Sequence, residues 1–210
     1  MRILITGGAG YVGAASAHAM LAAGYRVVIL DDLSTGKSDA IPNGASFIVG
    51  SYADPNRVAD VSRDGRVDAI LHCAARSIVA ESVAEPERYY RENLVAGLAL
   101  LDTALRTGVK QILLSSSAAV YGSAGRGPID EEARLSPVNP YGATKVALEG
   151  ISRAARRGII VKGGGALETL KDGESVVFFD EPSAGSLGDA MRCFENARFD
   201  PSSLKSRAKR

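Results

Sequence analysis

The chain has 210 residues, 46% of them hydrophobic, and its 25 basic and 24 acidic side chains leave a net charge of +1. This near-neutral balance gives no electrostatic reason to expect a nucleic acid or an anionic membrane surface as a partner. No apolar run reaches the roughly 18 residues that suggest a membrane span, and the two cysteines lack metal-ligand spacing. We therefore expect a cytoplasmic protein without a bound metal, a nucleic-acid partner or a membrane partner.

Short apolar runs alternate with helical patterns along the first 155 residues. The predicted strands are 2–6, 26–30, 46–49, 69–73 and 111–116, and the predicted helices are 12–24, 56–64, 89–108 and 141–155. Strands that alternate with helices form parallel sheets with helices on both faces. The sequence therefore predicts a doubly wound α/β domain of the Rossmann type over residues 1–156.

A glycine-rich turn follows the first predicted strand. It reads TGGAGYVG, with glycines at positions 7, 8, 10 and 13. The first two allow a tight strand-to-helix turn, Gly10 lets the backbone approach a pyrophosphate, and Gly13 lets the helix pack against the strand. Asp31 ends the second strand about 20 positions on, where a carboxylate accepts hydrogen bonds from ribose hydroxyls. The pattern predicts a dinucleotide site for NAD rather than NADP; the alternative is a glycine turn with a solvated loop acid.

Three polar side chains form the candidate catalytic group. Tyr141 and Lys145 are four residues apart at the start of a helix, so both lie on one face. A tyrosine with the reference pKa of about 10 is a poor base at neutral pH, and a neighbouring ammonium stabilises the phenolate. Ser117 follows a strand end, where it would bind the same substrate oxygen. An ordinary helix-surface pair is the alternative interpretation of Tyr141 and Lys145.

These segments resemble the extended short-chain dehydrogenase/reductase family, in particular its nucleotide-sugar epimerases. The resemblance runs from Met1 to about Ala155 and rests on TGGAGYVG, LDDLSTGKSDAIPNGASFIVG, HCAARSIVAESVAEPERYYRENLVAG, SSSAAVYG and NPYGATK. It implies epimerisation at C4 of a UDP-hexose, UDP-glucose or UDP-galactose, with NAD as cofactor. In that reaction Tyr141 removes the proton of the 4-hydroxyl, C4 gives a hydride to NAD⁺, and the 4-keto sugar takes the hydride back on its other face.

The resemblance also implies a set of cofactor contacts. They are Gly7, Gly10, Tyr11, Val12, Gly13, Asp31, Asp32, Ala74, Ala75, Asn93, Ser115, Tyr141 and Lys145. Three positions depart from the family pattern. Ser51 stands where an aspartate usually reads the adenine, Ala119 replaces a threonine near the substrate, and Arg76 lies in a substrate-side loop that usually carries a different residue. Asp54 would either supply the missing carboxylate or cap the next helix.

Residues 157–210 interrupt this resemblance. They resemble the C-terminal end of a retaining glycosyltransferase with two Rossmann domains. Gly164, Gly165 and Glu168 match positions that border the nucleotide-sugar site in that family. The acidic pair that binds the donor sugar in the family is absent from this chain. We expect this segment to replace the usual substrate domain and to cover sheet edges, with strands near 159–161 and at 175–179.

Several alternatives remain open at this stage. One is a catalytically silent NAD-binding remnant that lacks the UDP-sugar-binding domain. A nucleotide-sugar 4,6-dehydratase is another, although it would need a further acid–base pair that SSSAAVYG does not offer. A glycosyltransferase donor-binding protein is the third. The resemblance further implies a homodimer through helices near 89–107 and 141–155.

Overall fold

The computed structural model describes residues 1–64, 66–109, 111–123, 129, 133–154 and 159–160. The predicted glycosyltransferase-like site, with Gly164, Gly165 and Glu168, lies outside these residues, and so does the predicted strand at 175–179. Within the described part of the chain, none of the helices combines the length and the apolar composition needed to cross a membrane.

In the part of the chain that the structure describes, six strands form one parallel sheet. The strands are β1 Arg2–Thr6, β2 Arg26–Asp31, β3 Ser46–Val49, β4 Ala69–His72, β5 Gln111–Leu114 and β6 Ile159–Ile160. Their order across the sheet is β3-β2-β1-β4-β5-β6, and every neighbouring pair is parallel. In the register, Ile3 lies opposite Val27 on one side and Ala69 on the other. The predicted doubly wound fold is confirmed, and so is a strand at 159–160.

Helices connect the strands and cover both faces of the sheet. They are α1 Tyr11–Ala22, α2 Pro55–Asp64, α3 Val79–Ala84, α4 Pro86–Tyr89, α5 Ala96–Arg106 and α6 Pro140–Ala154. A π-helical turn, Tyr90–Val95, joins α4 to α5, and two 3-10 turns span Ser38–Ala40 and Ala118–Tyr121. The predicted helices correspond to α1, α2, α5 and α6.

Two apolar cores, one on each face, hold the helices to the sheet. Side chains alternate between faces along a strand, so Ile3 and Ile5 of β1 pack with Ala17 and Met20 of α1. On the opposite face Leu4 packs in a cluster with apolar residues of α2, α5 and α6. Because both faces are covered, the central strands are buried along nearly their whole length.

The long helix differs from its prediction. It begins at Pro86, whose fixed φ and missing N–H suit a first helical position, and it passes through the π-helical turn before α5. Such turns are frequent at functional sites. The turn contains Asn93, which is fully buried. The apolar spacing of this segment predicts a helix but does not reveal the extra residue that a π turn inserts.

The sheet order sets where a ligand binds. From β1 the chain leads to β2 on one side, whereas β4 lies on the other side. The two halves therefore diverge between β1 and β4. Ligands of open α/β sheets bind in the crevice at the carboxyl ends of the strands at this point. The glycine turn follows β1, and the loop that starts at Cys73 follows β4.

Candidate active site

A cavity of about 640 Å³ opens at the carboxyl ends of β1, β2, β4 and β5. This volume lies in the range of small-molecule and cofactor sites. The predicted site residues that line it are Gly7, Gly10, Tyr11, Val12, Asp31, Asp32, Ala74, Ala75, Ser115, Tyr141 and Lys145. Segments far apart in the sequence therefore meet around one cavity, as the predicted dinucleotide site requires.

The glycine turn approaches the backbone of the loop after β4 and that of the first turn of α1 closely. Gly7 has a φ of +73°, and a Cβ there would lie 2.5 Å from the backbone nitrogen of Ala74. A Cβ on Gly13 would lie 2.2 Å from the carbonyl oxygen of Gly7, so α1 packs directly on the turn. Gly10 has more room, with its nearest neighbour at 3.4 Å. Gly13 thus allows a close helix contact, as predicted, but the contact is with the glycine turn rather than with the strand. Gly13 does not line the cavity, and its contact with the cofactor stays a prediction.

The start of α1 fits a bound pyrophosphate. The first N–H groups of a helix have no partner within the helix and attract anions. Tyr11 and Val12 of this first turn line the cavity while 93% and 52% exposed. Apolar side chains so exposed beside an open glycine turn suit a surface that a ligand covers. The residues present therefore fit a dinucleotide.

Asp31 is held rigidly at the end of β2. Its Oδ2 accepts a hydrogen bond from the N–H of Ala9 at 2.9 Å, and its Oδ1 accepts one from the N–H of Leu33 at 2.8 Å. Only 8% of the residue is exposed, yet it lines the cavity. Each carboxylate oxygen has a second acceptor site, so Asp31 retains capacity for ribose hydroxyls.

Two further polar residues in the loop between β3 and α2, Ser51 and Asp54, have separate roles. Ser51 lines the cavity, and its hydroxyl oxygen accepts a hydrogen bond from the N–H of Ala53 at 3.1 Å. Asp54 instead caps α2, because its Oδ1 accepts hydrogen bonds from the N–H groups of Asn56 at 3.0 Å and Arg57 at 3.3 Å. The capping interpretation of Asp54 is confirmed, and Asp54 does not line the cavity.

Tyr141 and Lys145 are buried side by side on the cavity wall. They are 9% and 5% exposed, and the Lys145 Nζ lies 6.0 Å from the centre of the Tyr141 ring. Lys145 Nζ donates a hydrogen bond to the backbone carbonyl of Ser115 at 2.7 Å. Burial lowers the pKa of Lys145 to about 8, while Cys73 and Glu149 act to raise it. At neutral pH a positive charge therefore lies beside the tyrosine.

Ser117 and Asn93 do not line the cavity. The Ser117 hydroxyl oxygen accepts a hydrogen bond from the N–H of Ala119 at 3.2 Å and caps the 3-10 turn Ala118–Tyr121. Asn93 clamps the loop after β4, because its side chain accepts from the N–H of Arg76 at 2.8 Å and donates to the carbonyl of Arg76 at 2.9 Å. Substrate contact by Ser117 and cofactor contact by Asn93 stay predictions.

Arg76 and Glu92 line the cavity and belong to a charged cluster that the sequence motifs did not connect. Arg76 Nε donates to Glu92 Oε2 at 2.7 Å, and Arg88 Nε donates to Glu92 Oε1 at 3.1 Å. Burial acts to raise the pKa of Glu92, but the hydrogen bonds from both arginines lower it below its usual value. Tyr52, also on the cavity, donates to the Glu92 backbone carbonyl. The four-residue spacing of Arg88 and Glu92 was the available sequence signal.

His72 is buried at the end of β4, close to the cavity floor. Its Nδ1 lies 2.7 Å from the Thr6 hydroxyl, and its ring meets Tyr52 edge-on with centroids 4.8 Å apart. Nε2 has no hydrogen-bond partner among the described residues. Burial lowers the pKa of His72 to about 3, and Lys145 contributes in the same direction. The imidazole is therefore neutral at physiological pH.

This buried imidazole predicts loss of stability in mild acid. Below about pH 6.5 the unfolded chain takes up a proton at His72, whereas the folded chain resists protonation down to about pH 3. The free energy of unfolding should therefore fall as pH drops below 6.5, with about 2 kcal/mol from His72 at pH 5. Urea denaturation at pH 7 and pH 5 should show a smaller difference in His72→Asn than in wild type. His18→Asn, on the exposed side of α1, is the control, and equal losses in all three proteins would contradict this role of His72.

Comparison with known proteins agrees with this geometry. A family model described as the NAD dependent epimerase/dehydratase family matches residues 3–161. The UDP-glucose 4-epimerase of Azospirillum brasilense is 44% identical over 154 residues, which are 73% of this chain and 44% of that protein.

Solved structures give the same result. The Brucella ovis UDP-glucose 4-epimerase in complex with NAD aligns with a TM-score of 0.73 at 34% identity, over 76% of this chain and 50% of that one. The Thermotoga maritima enzyme with UDP-glucose aligns with a TM-score of 0.71 at 31% identity, over 77% of this chain and 55% of that one. The chain spans about half the length of the relatives it matches. With its family match covering most of its length, the chain belongs to the NAD-dependent epimerase/dehydratase family.

Proposed function

We propose that the chain catalyses NAD-dependent epimerisation at C4 of a UDP-hexose, interconverting UDP-glucose and UDP-galactose. The observation that carries this proposal is the buried Tyr141–Lys145 pair, which lines the same cavity as the glycine turn and Asp31. A base and a dinucleotide site in one cavity suit a reaction that removes a proton from a hydroxyl group and a hydride from the carbon that carries it. The similar proteins named UDP-glucose 4-epimerase support the choice of reaction.

In this proposal the cofactor lies along the cavity floor. The first turn of α1 holds the pyrophosphate next to Gly10, and Asp31 binds the adenosine ribose. The Asp31 carboxylate would repel a 2′-phosphate at the same position, which favours NAD over NADP. Lys145 binds the nicotinamide ribose from the opposite end.

When bound, NAD⁺ supplies reversible hydride transfer with C4 of the sugar. Tyr141 takes the proton of the 4-hydroxyl while the C4–H bond breaks and a C4 carbonyl forms. It gives the proton back when the hydride returns to the other face, so the sugar changes configuration and the cofactor is regenerated. The Lys145 ammonium stabilises the tyrosinate that accepts this proton and that is restored when the proton is given back. Ser117 is the predicted second hydrogen-bond partner of the 4-oxygen.

The proposal is tested by supplying the purified full chain with NAD⁺ and UDP-galactose and separating the nucleotide sugars by chromatography. UDP-glucose should form until the two sugars reach a constant ratio. A second reaction that starts from UDP-glucose should reach the same ratio. A chain that binds NAD⁺ and forms no product from either sugar would contradict the proposal.

That negative result would favour a second candidate function, a cofactor-binding protein without turnover. One observation supports this candidate: Ser117, the predicted second partner of the 4-oxygen, caps the 3-10 turn Ala118–Tyr121 and does not line the cavity. Substrate positioning contributes several orders of magnitude to rate, so a site that holds the cofactor without positioning the sugar would bind NAD⁺ and lack turnover.

We also propose that the chain forms a homodimer through its long helices. Val95, Leu98 and Leu105 share one side of the segment that includes α5, and they are 58%, 40% and 37% exposed. Apolar side chains aligned along a helix suit burial against a second copy. Light scattering should give twice the chain mass at micromolar concentration, and Leu98→Glu should give the chain mass. A wild-type chain that remains monomeric at about 100 µM, where a dimer of even modest affinity forms, would overturn the dimer.

A further inference from the structure

Two side chains of α6 attach this helix to the end of β5. Lys145 Nζ donates to the carbonyl of Ser115 at 2.7 Å. The hydroxyl of the next residue, Ser116, donates to Oε1 of Glu149. Lys145 and Glu149 are four residues apart and so lie on one face of the helix. The two contacts therefore join α6 to two consecutive residues, Ser115 and Ser116, directly after β5 leaves the sheet.

Glu149 is buried more deeply than a carboxylate usually is. It is 1% exposed, and Lys145 is 5% exposed. An ionised carboxylate without water needs an opposite charge as well as hydrogen bonds. The Lys145 ammonium is one helical turn away, and both residues line a small space next to the main cavity.

Among the residues that the structure describes, four titratable groups surround Lys145: His72 and Cys73 at the end of β4, and Tyr141 and Glu149 on α6. His72 is neutral at pH 7 because burial lowers its pKa to about 3. Cys73 is a protonated thiol because burial raises its pKa to about 12. Glu149 is thus the member of this set suited to carry a negative charge at neutral pH.

We propose that Glu149 is a positioning residue whose carboxylate, anchored by Ser116, keeps Lys145 protonated and directed at the Ser115 carbonyl on the cavity wall. Glu149 does not line the main cavity, so it acts on the site through Lys145. The consequence for proton removal by Tyr141 rests on the proposed function, whereas the charge state of Lys145 does not.

The test measures the protonation of Lys145 directly, in the full chain without cofactor or substrate. The side-chain NMR signal of Lys145 in ¹³C-lysine-labelled protein is assigned by its loss in Lys145→Arg. It is followed from about pH 4 to pH 11, a range that brackets the wild-type pKa, the lower pKa expected in Glu149→Gln and the reference value for lysine. The wild-type signal should titrate near pH 8. In Glu149→Gln, which keeps the shape and removes the charge, the midpoint should fall by about 1 to 3 pH units. Glu149→Asp should recover at least half of that fall.

An unchanged Lys145 midpoint in folded Glu149→Gln would overturn the proposal, and so would an Asp variant that behaves like Gln. If Glu149→Gln does not fold, the side-chain carboxyl ¹³C shift of Glu149 in the wild type decides. A shift typical of an ionised carboxylate at pH 7 supports the proposal, and that of a protonated acid overturns it. Neither measurement depends on turnover, so a failed epimerase assay leaves both results valid.

Discussion

Replacing Tyr141 with phenylalanine should lower the rate of UDP-galactose conversion by about 10³-fold, because general acid–base groups contribute roughly 10²- to 10⁴-fold. The substitution removes one hydroxyl from a ring that is 9% exposed and packs edge-on against Tyr89 with centroids 6.4 Å apart. The fold should therefore persist, and NAD⁺ should still bind. Initial rates at saturating sugar, together with an NAD⁺ titration, measure the two effects separately.

The matched control for Tyr141→Phe is Tyr90→Phe. Tyr90 is 42% exposed and does not line the cavity, so its variant should retain the wild-type rate. If Tyr141→Phe retains at least a tenth of the wild-type rate, Tyr141 is not the acid–base group of the reaction.

The substitution Gly13→Ala should lower the free energy of unfolding by about 3 kcal/mol, which is at the upper end of the usual effect of overpacking. A Cβ there would lie 2.2 Å from the carbonyl oxygen of Gly7 and 2.8 Å from the Cα of Gly8. Both contacts are to backbone, so the glycine turn itself must move. Affinity for NAD⁺ should fall with stability, because the same turn is the proposed pyrophosphate site. Urea denaturation and an NAD⁺ titration measure the two losses.

A glycine-to-alanine substitution in another helix should raise the free energy of unfolding instead. Gly150 lies in α6, and a Cβ there would meet nothing within 4 Å. Gly150→Ala should stabilise the protein by about 1 kcal/mol, the helix propensity difference between the two residues. If both variants stabilise the chain equally, α1 does not pack on the glycine turn as described.

The strands and the phosphate-binding turn were predictable because their signals are local. Runs such as RILIT and RVVIL are apolar, short and bounded by turn residues, which is typical of buried parallel strands. The roles of Gly7 and Gly13 were predictable for a similar reason, since a tight turn and a close helix contact both require a residue without a side chain. These local signals predict the class of sheet, but they do not specify which strand pairs with which.

The contacts that complete the site join residues distant in sequence. Tyr52 donates to the carbonyl of Glu92, 40 residues on, and the amide of Asn93 donates to the hydroxyl of Thr144, 51 residues on. No period or short motif reports such pairs. The π-helical turn escaped prediction for a related reason, because one inserted residue rotates the helix without removing its apolar spacing.

The assignment of the cavity to NAD is tested most directly by a calorimetric titration of the full chain with NAD⁺ and, separately, with NADP⁺. We predict one NAD⁺ per chain and at least about tenfold weaker binding of NADP⁺, because Asp31, if it binds the adenosine ribose as proposed, would repel a 2′-phosphate. No detectable NAD⁺ binding, or equal affinity for the two cofactors, would contradict the assignment of the cavity.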